Sequence, residues 1–247
     1  MKIADEVAEA FRKALLSWGE RNIVNYPWRK NRTPYRVLLA EILLHRTRAE
    51  QVIPLYNNLV ALCPDAFSLA AIDRGELHRM LKSAGLRWRI DLMHEMAKTI
   101  VERYNGEIPE KREELMKLPG VSEYIASAVR CFAYGYPEPL LDTNTVRIAG
   151  RVFDIEVKDS SRRSKKMREF MRNLLDTERP DVFNYAMIDF GKKVCKKRNP
   201  ECFACPLWMC SYRIRIINDF YKKEGVFYEG GFDRGADQRN SGAQKWA

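Results

Sequence analysis

The sequence predicts an all-α fold. Apolar residues recur at helical spacing along most of the chain, and no stretch alternates convincingly enough to be a strand. A third observation is an abrupt break: Pro119-Gly120 ends one helical pattern and Val121 opens another (Ile125, Ala128, Val129, Phe132). Two helices joined by so tight a turn form a hairpin, in which Gly120 supplies a positive φ.

In chain order, residues 3–18 place Val7, Ala10, Phe11, Leu15 and Trp18 on one face. Pro27-Trp28-Arg29 interrupts, and Thr33-Pro34 reads as an N-cap followed by proline at the first helical position. The helix it opens is the most apolar in the chain, Val37 to Leu44, with Glu41 in its middle. Further helices are expected over 49–62 (kinked by Pro54), 75–83, 88–104, 110–117, 121–134, 143–153, 162–175 and 181–191. A short basic segment follows Cys210, and a loosely ordered tail with five glycines follows from Gly225. Phe227, Tyr228 and Phe232 could dock it.

The 247 residues, 46% of them hydrophobic, suffice for one large domain or two interlocked lobes. Lysine and arginine number 43 against 33 acids, a net charge of +10 that favours a polyanionic partner such as nucleic acid. No apolar run approaches the roughly 18 residues a membrane span needs. The N-terminus carries Asp5 and Glu6 where a signal peptide needs an apolar core, so the expected location is intracellular, in cytoplasm or nucleoid. Disulfides are then not expected among the six cysteines.

Four of those cysteines form the strongest local signal. Cys195-x6-Cys202-x2-Cys205-x4-Cys210 packs four thiols into sixteen residues, which is ligand spacing for zinc or an iron–sulfur cluster. Cys63 and Cys131 lie in apolar helical contexts and read as buried thiols. Basic runs at 162–168 and 192–198 read as solvated faces or as phosphate-binding surface, the second being tied to the cysteine loop.

Three side chains stand out for chemistry. A carboxylate within a helix as apolar as that of Glu41 must be paired, for example with Arg46 or Arg48, or must line a pocket. Asp142 precedes a helical run, so it is an N-cap that the connection could also return towards the hairpin. Tyr124 falls in the first turn of the hairpin's second helix, as core or as pocket wall. That helix start presents free backbone N–H groups, a cradle for phosphate.

Together these pieces resemble the helix-hairpin-helix base-excision DNA glycosylases that carry a four-cysteine iron–sulfur cluster. The likeness runs from about Tyr26 to Tyr212. It includes Tyr26-Pro27-Trp28-Arg29, Thr33-Pro34-Tyr35, Glu41-Ile42-Leu43-Leu44, Leu118-Pro119-Gly120-Val121, Asp142-Thr143-Asn144, Ala186-Met187-Ile188-Asp189-Phe190-Gly191 and the cysteine loop. The resemblance implies a two-lobed architecture: a six-helix barrel lobe with the hairpin over 29–140, and a cluster-bearing lobe from 1–28 and 141–214. Residues 215–247 form the tail. It also implies a [4Fe-4S] cubane on Cys195, Cys202, Cys205 and Cys210 rather than zinc, and a monomer acting on double-stranded DNA with a mismatched or damaged base.

Bifunctional members, similar to endonuclease III, have lysine at the position of Tyr124. A phenol forms no imine, so this chain looks monofunctional. It is most similar to the archaeal thymine/uracil glycosylases acting at G·T and G·U mismatches. The adenine glycosylases acting opposite 8-oxoguanine come second, and a non-catalytic iron–sulfur DNA-binding protein is the competing class. Adenine glycosylases usually have a small residue at the Tyr124 position and a C-terminal recognition domain, for which the 37 residues after Cys210 are too few.

By the same likeness Asp142, Tyr124 and Glu41 are catalytic. Leu118, Gly120, Val121 and Ser122 grip backbone, while Arg87 and Trp88 lie where the family inserts a wedge. His45 and Arg46 fill the vacated space or read the opposite guanine. Trp88 could equally be core, and Arg46 could be the partner of Glu41. Two departures stand out. Ser122 replaces the hairpin's usual second glycine, tolerable if its φ is helical, and the last cysteine spacing is x4 where x5 is usual.

Overall fold

The computed structural model describes residues 3–82 and 87–223; Gly85, Leu86 and the segment from 224 onward, tail included, lie outside it. The described residues are helical, with no strand among them. In order they are α1 Asp5–Asn22, α2 Pro27–Lys30, α3 Pro34–Leu44, α4 Ala49–Leu62, α5 Ala66–Ala71, α6 Arg74–Met80 and α7 Arg87–Tyr104. Then follow α8 Arg112–Leu115, α9 Glu123–Phe132, α10 Thr143–Phe153, α11 Lys165–Leu174, α12 Pro180–Lys193 and α13 Ser211–Lys223. None of them is long and apolar enough to cross a membrane.

The apolar faces gather into two cores. One is built from residues between Tyr26 and Leu140 and centres on α3, with Leu38, Leu39 and Leu43 fully buried. The other joins Phe11 and Leu15 of α1 to Val146 and Ile148 of α10, Phe170 of α11 and Phe183 of α12. Helix α12 serves both: Tyr185 stacks on Phe132 of the first core at 4.0 Å, while Met187 and Phe190 enter the second. It also packs tightly on α1, where a Cβ on Gly19 would sit 2.9 Å from that of Ala186.

Local chemistry moved several expected boundaries. The helix expected over 110–117 is the single turn Arg112–Leu115, since Pro119 disfavours helical geometry before it. The second hairpin helix begins at Glu123, not Val121. Ser122 is its N-cap, extended at φ −85° and ψ 167°, and its Oγ accepts the N–H of Ile125 at 3.3 Å. Its φ is one any L residue adopts, so a side chain is tolerated there, while its ψ is extended rather than helical. Gly120 does take the expected positive φ, +79°.

The run expected as a helix over 162–175 divides. Residues Asp159–Arg163 form a 3-10 turn, and Ser164 caps α11 by accepting the N–H of Met167. The tail expected from 215 does not start there, because α13 continues to Lys223. Its first turns are tied down by Ser211 donating to the Val152 carbonyl and by Arg213 donating to that of Cys202.

Candidate active site

Beside α3 lies a cavity of about 950 Å³. Its inner wall is buried and its mouth is marked by exposed residues, His45, Arg46, Arg48, Ser122 and Arg163 among them. Glu41, Tyr124 and Asp142 all line it.

Each of the three is set by its helix. Thr33 caps α3 by accepting the N–H of Arg36, and two turns later Glu41 faces the cavity at 9% exposure. Ser122 starts α9, so Tyr124 falls in its first turn, half-buried at the wall. Asp142 is the N-cap of α10, as the sequence allowed. Its Oδ1 accepts the N–H groups of Asn144 and Thr145 at 2.8 and 2.7 Å, and its Oδ2 accepts Asn144 Nδ2 at 2.9 Å. Three donors hold the carboxylate in one orientation while it borders the cavity.

The electrostatics separate the roles. Burial pushes the Glu41 carboxyl up to about 7. The charge of Asp142 adds to this, while Arg29 and Lys192 oppose it. Of the two readings of Glu41, the pocket-lining one holds: Arg46 and Arg48, the alternative partners, are exposed at the mouth, whereas Arg29 lies inside with Glu41. Arg29 is itself held by Asp189, so its charge is shared. The Tyr124 hydroxyl is held well above the usual phenol range by burial and by the charges of Glu41 and Asp142. It stays a neutral donor.

At the mouth, Arg46 adopts left-handed backbone, φ +63°. Beneath it the buried Arg89 donates to the carbonyls of Leu43, Ile42 and His45 and to Thr47 Oγ1 at 3.1 Å, tying down the turn that follows α3. Desolvation first, then the Arg46 and Arg89 guanidiniums, lower the pKa of His45, leaving its imidazole neutral. Trp88 is not core: it is 49% exposed and meets the His45 ring edge-on at 6.4 Å. Arg87 is exposed at the start of α7. Trp88, Pro119, Gly120 and Ser122 line a second cavity of about 160 Å³ against the hairpin turn. Leu118 and Val121 turn inward, at 3% and 9% exposure, so the turn offers mainly backbone to the outside.

Sequence reasoning singled out neither Asp189 nor Arg89, and it cited Arg29 only within a motif. Asp189 carried the signal that found Glu41, a lone acid in an apolar helix (Met187-Ile188-Asp189-Phe190). Arg89 had no such mark, being one of several arginines near a helix start. Tyr185 and Lys192 reach the cavity by the α12 periodicity, three and seven residues apart from Ile188 and Tyr185 respectively.

The clustered cysteines lie close enough that Cys202, Cys205 and Cys210 each feel a neighbouring thiol of the set. Burial pushes Cys205 up to about 11 and raises Cys202 and Cys210. Arg151 Nη1 approaches Cys195 Sγ at 3.5 Å, and the N–H of Arg213 points at Cys210 Sγ at 3.4 Å. Thiols grouped with donors aimed at sulfur fit a thiolate-ligated metal group. Among the described residues no His, Cys, Asp or Glu side chains are grouped tightly enough to hold a single ion. Cys63 and Cys131 are buried, as expected.

Capped acid, buried acid and neutral phenol meet in one cavity beside a hairpin with a glycine turn. Residues 39–174 match the HhH-GPD superfamily of base excision DNA repair proteins, and the chain belongs to that family. The thymine/uracil-DNA glycosylase of Pyrobaculum aerophilum is 38% identical to it, covering 80% of this chain and 88% of the relative. The thymine-DNA glycosylase of Aeropyrum pernix is 37% identical, over 81% and 92%. A solved thermostable thymine-DNA glycosylase superposes with a TM-score of 0.81 at 28% identity, over 85% of this chain and 98% of that one.

Proposed function

We propose that the protein is a monofunctional DNA glycosylase that removes a mismatched thymine or uracil opposite guanine and leaves the backbone intact. The observation that carries this reading is the convergence of Glu41, Tyr124 and Asp142 in one open cavity. The similarity to a thymine/uracil-DNA glycosylase and a thymine-DNA glycosylase favours a pyrimidine.

A base inside a duplex cannot reach such a cavity, so the nucleotide must flip out. That costs a few kcal/mol, less for a mispair. The exposed ring of Trp88 fills the gap in the stack, and Arg46 reads the O6 and N7 edge of the orphaned guanine. The backbone N–H groups around Gly120 and Ser122 hold a phosphate.

Cleavage of the C1′–N1 bond leaves a sugar with oxocarbenium character. The fixed carboxylate of Asp142 stabilises that charge, orients the water that attacks C1′ and accepts the proton the water loses as the C1′–O bond forms. The electron pair of the broken bond departs with the pyrimidine. Glu41, with a pKa of about 7, donates a hydrogen bond or proton to the leaving base, and Tyr124 hydrogen-bonds the nucleotide as a neutral phenol. With tyrosine there, no amine is positioned to form a Schiff base.

The residues that would hold the [4Fe-4S] group are Cys195, Cys202, Cys205 and Cys210. A single zinc ion, with Zn–S bonds of about 2.3 Å, would require its sulfurs within about 4 Å of one another; a cluster accepts a wider set. When bound, the group supplies a rigid cross-link for the loop. Arg147 and Arg151 donate to the carbonyls of Cys195 and Lys196 and fix that loop on α10. On this reading the first core, extended by Tyr26, Trp28 and Tyr185, is that of the barrel lobe over 29–140, and the second is that of the cluster lobe of 1–28 with 141–214. The protein acts as a monomer inside the cell.

The test is base release from duplexes carrying G·T, G·U and A·8-oxoguanine, with and without alkali. Release of pyrimidine with strand breaks only after alkali supports the reading. Release of adenine alone, or scission trapped by borohydride, contradicts it.

A further inference from the structure

The mouth of the cavity has a third segment, besides those at 45–50 and 122–125, that the proposed chemistry leaves unused. Asp159, Arg162, Arg163 and Arg168 all line the cavity. Its α11 half is anchored by Met167, Phe170 and Met171 in the second core, while the 3-10 turn before it is surface-exposed and braced by Lys158 N–H donating to Ser161 Oγ at 3.0 Å. Arg168 pairs with Glu123 at 2.8 Å, tying it to the first turn of α9, one residue from Tyr124.

Two of its cations have capacity to spare. Asp159 holds Nη2 of Arg162 at 2.6 Å and orients the guanidinium, whose Nη1 carries no hydrogen bond among the described residues. Arg163 is exposed and, among the described residues, is paired with no acid. A nucleotide turned into the cavity brings a phosphodiester on each side of its sugar. One falls to the hairpin, and the other needs a cation on a different part of the mouth. A guanidinium fork fits such a group bidentately.

We infer that Arg162 and Arg163 form a phosphodiester site that takes the backbone beside the flipped nucleotide on the side away from the hairpin. This rests on the cavity accepting a flipped nucleotide, and it adds a second grip that the hairpin alone does not supply. Asp159 is then a positioning residue, holding Arg162 ready.

The experiment measures the dissociation constant of the full-length protein for a G·T duplex with a hydrolysis-resistant 2′-fluorothymidine, as a function of salt. Arg162→Ala with Arg163→Ala weakens binding about 10- to 100-fold at low salt. It also reduces the slope of log Kd against log salt by about 1, since each phosphate contact contributes about 0.9. The double lysine variant keeps most of the slope, which separates lost charge from misfolding.

A methylphosphonate placed at each linkage flanking the mismatched thymidine locates the contact. One neutral linkage weakens the parent but not the double alanine variant. An unchanged slope, or equal losses for parent and variant at every linkage, overturns the inference. These readouts need no chemistry, so a parent that releases no base would sink the glycosylase reading and leave the binding result to be judged separately.

Discussion

Arg29 grips Asp189 with two nitrogens, Nη1 2.6 Å from Oδ2 and Nη2 3.1 Å from Oδ1, while Nη1 also donates to the Val24 carbonyl. The guanidinium also lies over the ring of Tyr185 at 4.3 Å. This buried pair joins α2 to α12 and places a cation at the back of the cavity without neutralising Glu41. Removing one partner leaves the other charge buried, so Asp189→Asn should destabilise the protein by about 3–5 kcal/mol. Urea denaturation followed by circular dichroism measures this; a loss under about 1 kcal/mol would mean that the pair is structurally idle.

Glu41 makes stability depend on pH. Its carboxyl rises from an ordinary 4.5 to about 7 in the folded chain, so folding binds a proton between those values. The contribution is fully present below about pH 4.5 and is lost as pH rises through 7, on the order of 3 kcal/mol in all. Glu41→Gln should therefore melt higher than the parent at pH 8 and close to it at pH 5. Calorimetry at the two pH values checks the sign, and equal differences at both would contradict the raised pKa. The same variant should lose most base release at pH 6, where the parent's acid is still protonated.

The hairpin variants separate backbone strain from capping. Gly120 has open room for a methyl group, with Leu92 Cβ at an ordinary 3.4 Å, so Gly120→Ala suffers only from its positive φ, about 1–2 kcal/mol. Ser122→Ala removes a cap and costs about 1 kcal/mol, whereas Ser122→Gly costs a few tenths. Thermal melts rank the three. On the proposed role, Gly120→Ala also weakens duplex binding, and Ser122→Gly does not.

The cysteine loop should carry iron and sulfide, about four of each per chain, with broad absorbance extending into the visible. Cys205→Ser should lose the colour and lower the melting temperature. Elemental analysis returning one zinc per chain and no sulfide would replace the cluster with a single ion.

Much of this was legible in the sequence because the informative residues break their surroundings. Glu41 interrupts an apolar helix, Pro119-Gly120 interrupts two helical patterns, and four thiols crowd a short loop. The helical fold and the placement of the buried α3 followed from periodicity alone. What was not legible depended on distant contacts. Nothing near Arg29 in sequence announces Asp189, 160 positions away. The partner of Glu41 was sought among its nearest arginines because only local neighbours are visible in a linear chain. Ser122 shows another limit: its φ of −85° suits any L residue, but that its side chain caps α9 depends on an extended ψ that the sequence does not display.

The most direct measurement compares single-turnover base release from a G·T duplex by the parent and by Asp142→Asn. Asparagine caps a helix as well as aspartate, so the variant should keep its fold and melting temperature. Loss of the charge facing the sugar should slow release by about 10²- to 10³-fold. Release by a well-folded Asp142→Asn within about threefold of the parent would show that the carboxylate does no more than cap α10, and the proposed chemistry would fail with it.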